Sequence, residues 1–402
     1  MNRPAKRPVN VRRPDIMEAV QEDLGEFCSS LVQEIRANGH VLNLPNTQFL
    51  LADSFGFCDG VRRAIEIAYA THRLFRDRRI WLIGEIIHNP EVNARLDAMG
   101  LRRLPWNMGD PLYHALSEED VVIIPAFGLP MPMRRFLEAK GVQLVDSTCG
   151  NVVKVWSRVR QYAAAGVTSI IHGKARHEET VATASQARDK VPGAAFLVIS
   201  NEEEAHLVVD YLLGRSTRET FLARFADRCS EGFDPDRDLR RIGIANQTTM
   251  LKSETSRIQE LLHEAVQQRD GDDANFHAFN TICSATQDRQ NALMQLLEKK
   301  PDAMIIIGGY NSSNTTHLAQ IAARHVRTYF IKSVESLISV HDMCCWDFDS
   351  RSERHCSLPA GAGDASRLLR IGITAGASCP DNVIESVIRR LAELRGYPLP
   401  LC

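Results

Sequence analysis

The chain lacks most of the motifs that commonly betray a function. None of its ten cysteines forms a C-x-x-C pair, so zinc-ribbon and thioredoxin readings lose their usual support. No Walker A loop, G-x-G-x-x-G or G-x-S-x-G occurs. Nucleotide-dependent and serine-hydrolase readings therefore have no motif behind them. No apolar run is long enough to span a bilayer and no signal-peptide core opens the chain, so no membrane association is expected. Neither sign of charge is in excess, the formal net charge being -2, and nothing favours nucleic acid as a partner. Ten cysteines scattered over 402 residues are too few for a disulfide scaffold, and a reducing, cytoplasmic setting is the expectation.

What remains is an ordinary globular composition, 44% hydrophobic and 24% charged, with room for two or three domains. Residues 1–13 carry Arg3, Lys6, Arg7, Arg12 and Arg13 among prolines and read as a basic disordered tail. An amphipathic helix is expected over residues 15–38. From about residue 48, apolar runs (RIWLIGEII, VVIIPAFG, TSIIHGK, AAFLVIS, IGIANQ, AMIIIGG, TYFIKS, LRIGITAG) alternate with helical patterns. Such alternation argues for an α/β fold with mainly parallel sheets. Residues 201–240 read as a helical insertion and 341–366 as a polar loop.

Three cysteines share one local setting: Cys58, Cys149 and Cys283 each follow a strand-like run and are followed at once by helical periodicity. A thiol there lies near a helix N-terminus, where the dipole favours the thiolate, the metal-binding form. Three such sites suggest one metal with a position left open. Cys28, Cys229, Cys356, Cys379 and Cys402 lack this frame, although Cys379 comes close, and read as small hydrophobes or free thiols.

Polar clusters stand at strand ends, where ligands bind in open α/β sheets. They are Tyr310-Asn311-Ser312-Ser313-Asn314, Asn246-Gln247-Thr248-Thr249 and Ala377-Ser378. Singly, each is best read as helix capping; together, beside three poised cysteines, they point to a phosphate pocket. His88 and His177 lie at similar junctions and offer imidazole donors. The H-x-E spacing from His177 puts Glu179 at a helix start. Glu179 is a general acid or a first-turn residue favouring the dipole, and sequence physics leaves both open.

These residues together resemble the LytB/IspH family, the hydroxymethylbutenyl diphosphate reductases. The resemblance runs from about residue 48 to 397 through GFCDGV, IIHNPEV, DSTCGNVVKVW, GKARHEETVATAS, IANQTTMLKSET, FNTICSATQDRQ, GGYNSSNTTHL and TAGASCPD, in family order. PAFG, HEETVATAS and FDPDRDLRR look like the plant and cyanobacterial branch. The resemblance implies three α/β domains in a pseudo-threefold trefoil around one [4Fe–4S] cluster per chain, held by Cys58, Cys149 and Cys283. The expected division is an extension at 1–46, then domains at 47–148, 149–280 and 281–402. It implies reductive removal of an allylic hydroxyl from a small diphosphate, with electrons from a ferredoxin- or flavodoxin-like donor. Family roles fall on Glu179 as proton source, Thr248 as its relay, and His88, His177, Thr249, Ser312, Ser313, Asn314 and Ser378 as substrate contacts.

Two positions depart from the bacterial pattern. Phe127 stands where that branch has a histidine, with Lys174 a candidate substitute, and Gly150 replaces a proline after the second cysteine, which loosens the backbone there. Rival readings are a zinc enzyme on the same cysteines, a cluster-bearing sensor, and a reductase of the same scaffold acting on another hydroxylated diphosphate.

Overall fold

A computed structural model describes residues 9–279, 282–359, 364 and 367–400. The start of the basic tail (residues 1–8) and Cys402 lie outside them. The chain forms two compact units. The first comprises Thr71–Ile86 and Gly100–Cys283 with the chain start up to Val11; the second comprises Arg12–Ala70, Ile87–Met99 and Ser284–Cys402.

The first unit holds two four-stranded sheets. One runs in the order Arg102–Leu104, Ile80–Ile83, Val121–Ile124, Gln143–Asp146, and every pairing is parallel. The other runs Phe276–His277, Ile242–Asn246, Thr168–His172, Phe196–Ile199, again all parallel. Ile80–Ile83, Val121–Ile124 and Thr168–His172 are buried throughout. Helices cover both faces of such sheets, so the strands need apolar residues on both sides and read as unbroken apolar runs. The helical insertion is present as Glu202–Leu212, Arg218–Phe225 and Pro235–Asp238. It packs Val208, Phe221, Phe225 and Phe233 into the core of the second sheet.

The second unit is built on a five-stranded sheet in the order Val41–Leu44, Thr47–Leu51, Leu369–Ala375, Ala303–Ile307, Thr328–Ile331. Only its first pairing is antiparallel. Thr47–Leu51, the strand before Cys58, thus pairs with a strand from the chain's end rather than with the sheet of residues 80–146. That places it differently from the expected 47–148 segment; strand partners this remote are chosen by tertiary packing, not by local pattern.

Four local expectations are corrected. The helix over 15–38 is two helices, Pro14–Leu24 and Ser30–Ala37, joined by a 3-10 turn. Ser29 restarts it by accepting the Val32 N–H at 2.9 Å, a side-chain cap that the helical periodicity masked. The segment read as a loop carries an antiparallel hairpin, Asp342–Asp347 with Ser352–Cys356. Its strand signal is hidden because the inward positions are Met343 and Cys345 rather than β-branched residues. Cys356 is not a free thiol: it forms a disulfide with Cys345 across this hairpin. The tail also becomes ordered before residue 13. Val11 is buried and Arg12 pairs with Glu66 at 2.9 Å. No helix among the described residues is long and apolar enough to cross a membrane.

Candidate functional site

Each of the three cysteines stands immediately before a helix: Asp59–Leu74, Gly150–Ala164 and Ser284–Glu298. Cys149 is the N-cap residue of its helix. All three are half-buried, so their sulfurs are reachable yet partly screened from water. Cys379, at the foot of a similar helix, is the contrast. It is fully buried in the core of the second unit, and burial pushes its thiol well above the ordinary range, so it stays protonated and inert. Soft thiolate donors of this kind suit iron or zinc.

In the first unit, the residues after Thr168–His172 and Ile242–Asn246 form a closed hydrogen-bond network. Glu179 is buried at the first turn of helix Glu178–Ala187. Its Oε1 accepts the Thr248 backbone N–H at 2.6 Å and its Oε2 accepts the Thr248 hydroxyl at 3.0 Å. Gln247 Oε1 accepts from Thr180 Oγ1 and from the Lys174 backbone N–H, both at 3.1 Å, and its Nε2 donates to Thr249 Oγ1 at 2.8 Å. The Cys283 backbone N–H donates to the Thr248 carbonyl at 3.4 Å, tying the cysteine turn to the same loop. A buried carboxyl with two directed donors has a defined orientation.

His177 caps that helix through its ring: Nδ1 accepts the Glu179 N–H at 3.1 Å. With Nδ1 an acceptor, the neutral ring carries its proton on Nε2, where it is available as a donor. Phe127 packs edge-on against this ring, centroids 5.8 Å apart. The residue that replaces a histidine therefore supports one. Lys174 has an exposed side chain, and its backbone N–H enters the network.

The second unit repeats the device. His88 Nδ1 lies 3.1 Å from Asn311 Nδ2, so the amide donates and the ring proton again sits on Nε2. The His88 carbonyl accepts the Ser378 hydroxyl at 3.0 Å. That bond ties the Ser378 turn to the His88 loop. Position 309 must be glycine: a Cβ there would come 2.8 Å from the His88 carbonyl oxygen. Ser312 caps helix Ser313–Ala323, accepting from the Thr315 N–H at 3.4 Å and its hydroxyl at 2.9 Å. Ser313 and Asn314, both buried, form the first turn. The Asn314 carboxamide is 3% exposed, yet neither its Oδ1 nor its Nδ2 has a hydrogen-bond partner among the described residues. A buried amide left so costs about 1–3 kcal/mol, so it calls for an explanation, a bound ligand being one. In the loop before Cys58, Arg289 Nη2 donates to the Gly56 carbonyl at 2.6 Å, and the Cys58 N–H donates to the Ala377 carbonyl at 3.2 Å.

Asn311 and Gln247 were visible only as members of polar clusters. Their parts, orienting His88 and joining two loops, depend on partners far away in sequence, and no local pattern signals them.

Comparison with known proteins supplies the lineage. The LytB protein family matches residues 49–392. The chain is 47% identical over 389 residues to the 4-hydroxy-3-methylbut-2-enyl diphosphate reductase of Gloeobacter violaceus, covering 94% of this chain and 90% of that protein. It is 46% identical to the reductase of the same name from a Synechococcus strain, covering 92% of this chain and 91% of that one. Among solved structures, an (E)-4-hydroxy-3-methyl-but-2-enyl diphosphate reductase, described as the terminal enzyme of the non-mevalonate pathway, aligns with a TM-score of 0.52 at 27% identity. It covers 87% of this chain and 99% of its own. The Plasmodium falciparum E-1-hydroxy-2-methyl-but-2-enyl-4-diphosphate reductase shares the fold, with a TM-score of 0.61 at 20% identity over 87% of this chain and 90% of its own. A family match over most of its length, with relatives nearly half identical, shows that the chain belongs to the LytB family.

Proposed function

We propose that the chain is an iron–sulfur oxidoreductase that converts 4-hydroxy-3-methylbut-2-enyl diphosphate into isopentenyl and dimethylallyl diphosphate. In balance, the allylic C–O bond breaks, two electrons and two protons are consumed, and the hydroxyl leaves as water while a C–H bond forms. Cys58, Cys149 and Cys283 would hold a [4Fe–4S] cluster, one per chain, which when bound would supply the electrons and a Lewis acid for cleavage of the C–O bond. The electrons reach it from a ferredoxin- or flavodoxin-like carrier, in a cytoplasmic setting that suits an oxygen-sensitive centre.

The chain's own residues bind and move protons. Asn314, Ser312, Ser313 and the helix N-terminus they form receive the diphosphate, with Nε2–H of His88 and His177 as further donors. Thr249 and Ser378 add hydroxyls as further substrate contacts, on loops held by their bonds to Gln247 and the His88 carbonyl. Glu179 gives its proton through Thr248: as the hydroxyl releases its hydrogen forward, it takes one from the carboxyl. The observation that carries the reading is the buried Glu179–Thr248 pair, bonded at both carboxyl oxygens. The test is anaerobic purification with iron and sulfide quantitation and a turnover assay on the diphosphate. About four irons per chain and formation of both products are expected. Zinc in place of iron, or no product under saturating reductant, would overturn it.

A further inference from the structure

One contact to a cysteine sulfur has no part in the roles above. Asn151 follows Cys149 by two residues in the first turn of helix Gly150–Ala164. Its Nδ2 lies 3.0 Å from Cys283 Sγ. Its Oδ1 faces the Lys154 ammonium at 3.4 Å. That pairing sets the amide orientation, because the flipped amide would turn an oxygen lone pair on the sulfur and an N–H on a cation. An N–H donated to a thiolate is charge-assisted and among the stronger hydrogen bonds.

We propose that Asn151 is a positioning residue that raises the reduction potential of the metal centre ligated by Cys283, through its amide hydrogen bond to the ligand sulfur. The inference rests on the assignment of Cys283 as a ligand. Reduction adds negative charge to the centre and its sulfurs, and a donor aimed at a sulfur stabilises that charge more in the reduced state than in the oxidised one. Lys154 acts through the amide, polarising it toward the sulfur.

Two variants test this in the full-length protein purified without oxygen. Asn151→Leu removes the donor at similar size. Asn151→Asp keeps the shape and the Lys154 contact but turns a carboxylate on the sulfur, and a carboxylate in the first turn favours the helix, so the fold is not at risk. The readouts are iron content and the midpoint potential from a redox titration followed by electron paramagnetic resonance. Iron should match wild type, and the midpoint should fall from wild type to Leu to Asp. For Asn151→Leu the reduced-to-oxidised ratio at a fixed potential should drop by up to about tenfold, equivalent to about 59 mV for a one-electron couple. Wild-type midpoints in iron-loaded variants, or a midpoint for Asn151→Asp at or above wild type, would overturn the proposal. Loss of iron from both variants would overturn it too, by making the amide part of ligand assembly rather than of tuning. A wild-type chain without iron strikes instead at the ligand assignment beneath it.

Discussion

The two units hold their candidate polar groups in opposite states. Around Glu179 in the first, the polar groups bond to one another: Thr248 to both carboxyl oxygens, and Gln247 to Thr180, Lys174 and Thr249. Around Asn314 in the second, a fully buried carboxamide has neither atom bonded. Proton transfer needs an acid fixed in advance, since a carboxyl free to rotate would lose alignment with its acceptor. Recognition of an anion needs the reverse, donors whose bonds the ligand itself completes. On the proposed reading, a bound diphosphate would recover the cost of that unmet amide.

The largest effects should come from the sulfurs, which lie outside this contrast and on which both roles depend. Cys58→Ser, Cys149→Ser and Cys283→Ser should each lose most of the bound iron, measured colorimetrically, whereas Cys344→Ser should be near silent. Full retention in all three single variants would remove the metal from the account. Next is the acid. Glu179→Gln keeps shape and removes the proton, so turnover should fall about 10²–10⁴-fold with iron intact. A wild-type rate under saturating reductant would pass the role to another group.

Asn314→Ala sharpens the contrast most, because it should act in two directions. Losing a charge-assisted bond to the diphosphate should raise the apparent constant for substrate about ten- to hundredfold, since such a bond contributes about 1.5–3 kcal/mol. Removing an unpartnered amide should leave the ligand-free protein as stable as wild type in thermal unfolding. A marked loss of stability would mean the amide is structurally bonded and the contrast false.

Smaller still is a pH effect in the first unit. Burial works against a charge on Asp120, but N–H donors from Ser117, Trp81 and Arg79 outweigh it and hold the carboxyl below its ordinary pKa. A carboxyl depressed on folding stabilises at pH above its unfolded value and loses that contribution as pH falls through its folded value. The stability gap between wild type and Asp120→Asn should be full near neutrality and close in acid, read as melting temperature against pH. At the small end, deleting residues 1–8 should change nothing. Deletion through residue 13 should lower the melting temperature slightly, because Val11 is buried and Arg12 meets Glu66.

Much of this was legible beforehand for a physical reason. Strands covered on both faces must be apolar throughout, so Val121–Ile124 or Ala303–Ile307 stand out in any reading. A cysteine directly before helical periodicity is also a local signal, and Cys58, Cys149 and Cys283 do sit at helix starts. What could not be read depends on distance along the chain. His88 is oriented by Asn311, 223 residues away, and Asn151 meets a sulfur 132 residues away. The hairpin at Asp342–Cys356 was missed because its inward faces use methionine and cysteine. The bond from Ser378 to the His88 carbonyl is likewise visible only in three dimensions.

The contrast between a closed acid network and an open binding amide is tested most directly by one paired measurement. Substrate binding and single-turnover rate are determined side by side, with saturating reductant, for Glu179→Gln and Asn314→Ala. The account predicts a split: Glu179→Gln slows the chemical step and leaves binding near wild type, while Asn314→Ala weakens binding and leaves the saturated rate near wild type. If both variants move the same constant by similar factors, the two regions do not divide the work and the account fails.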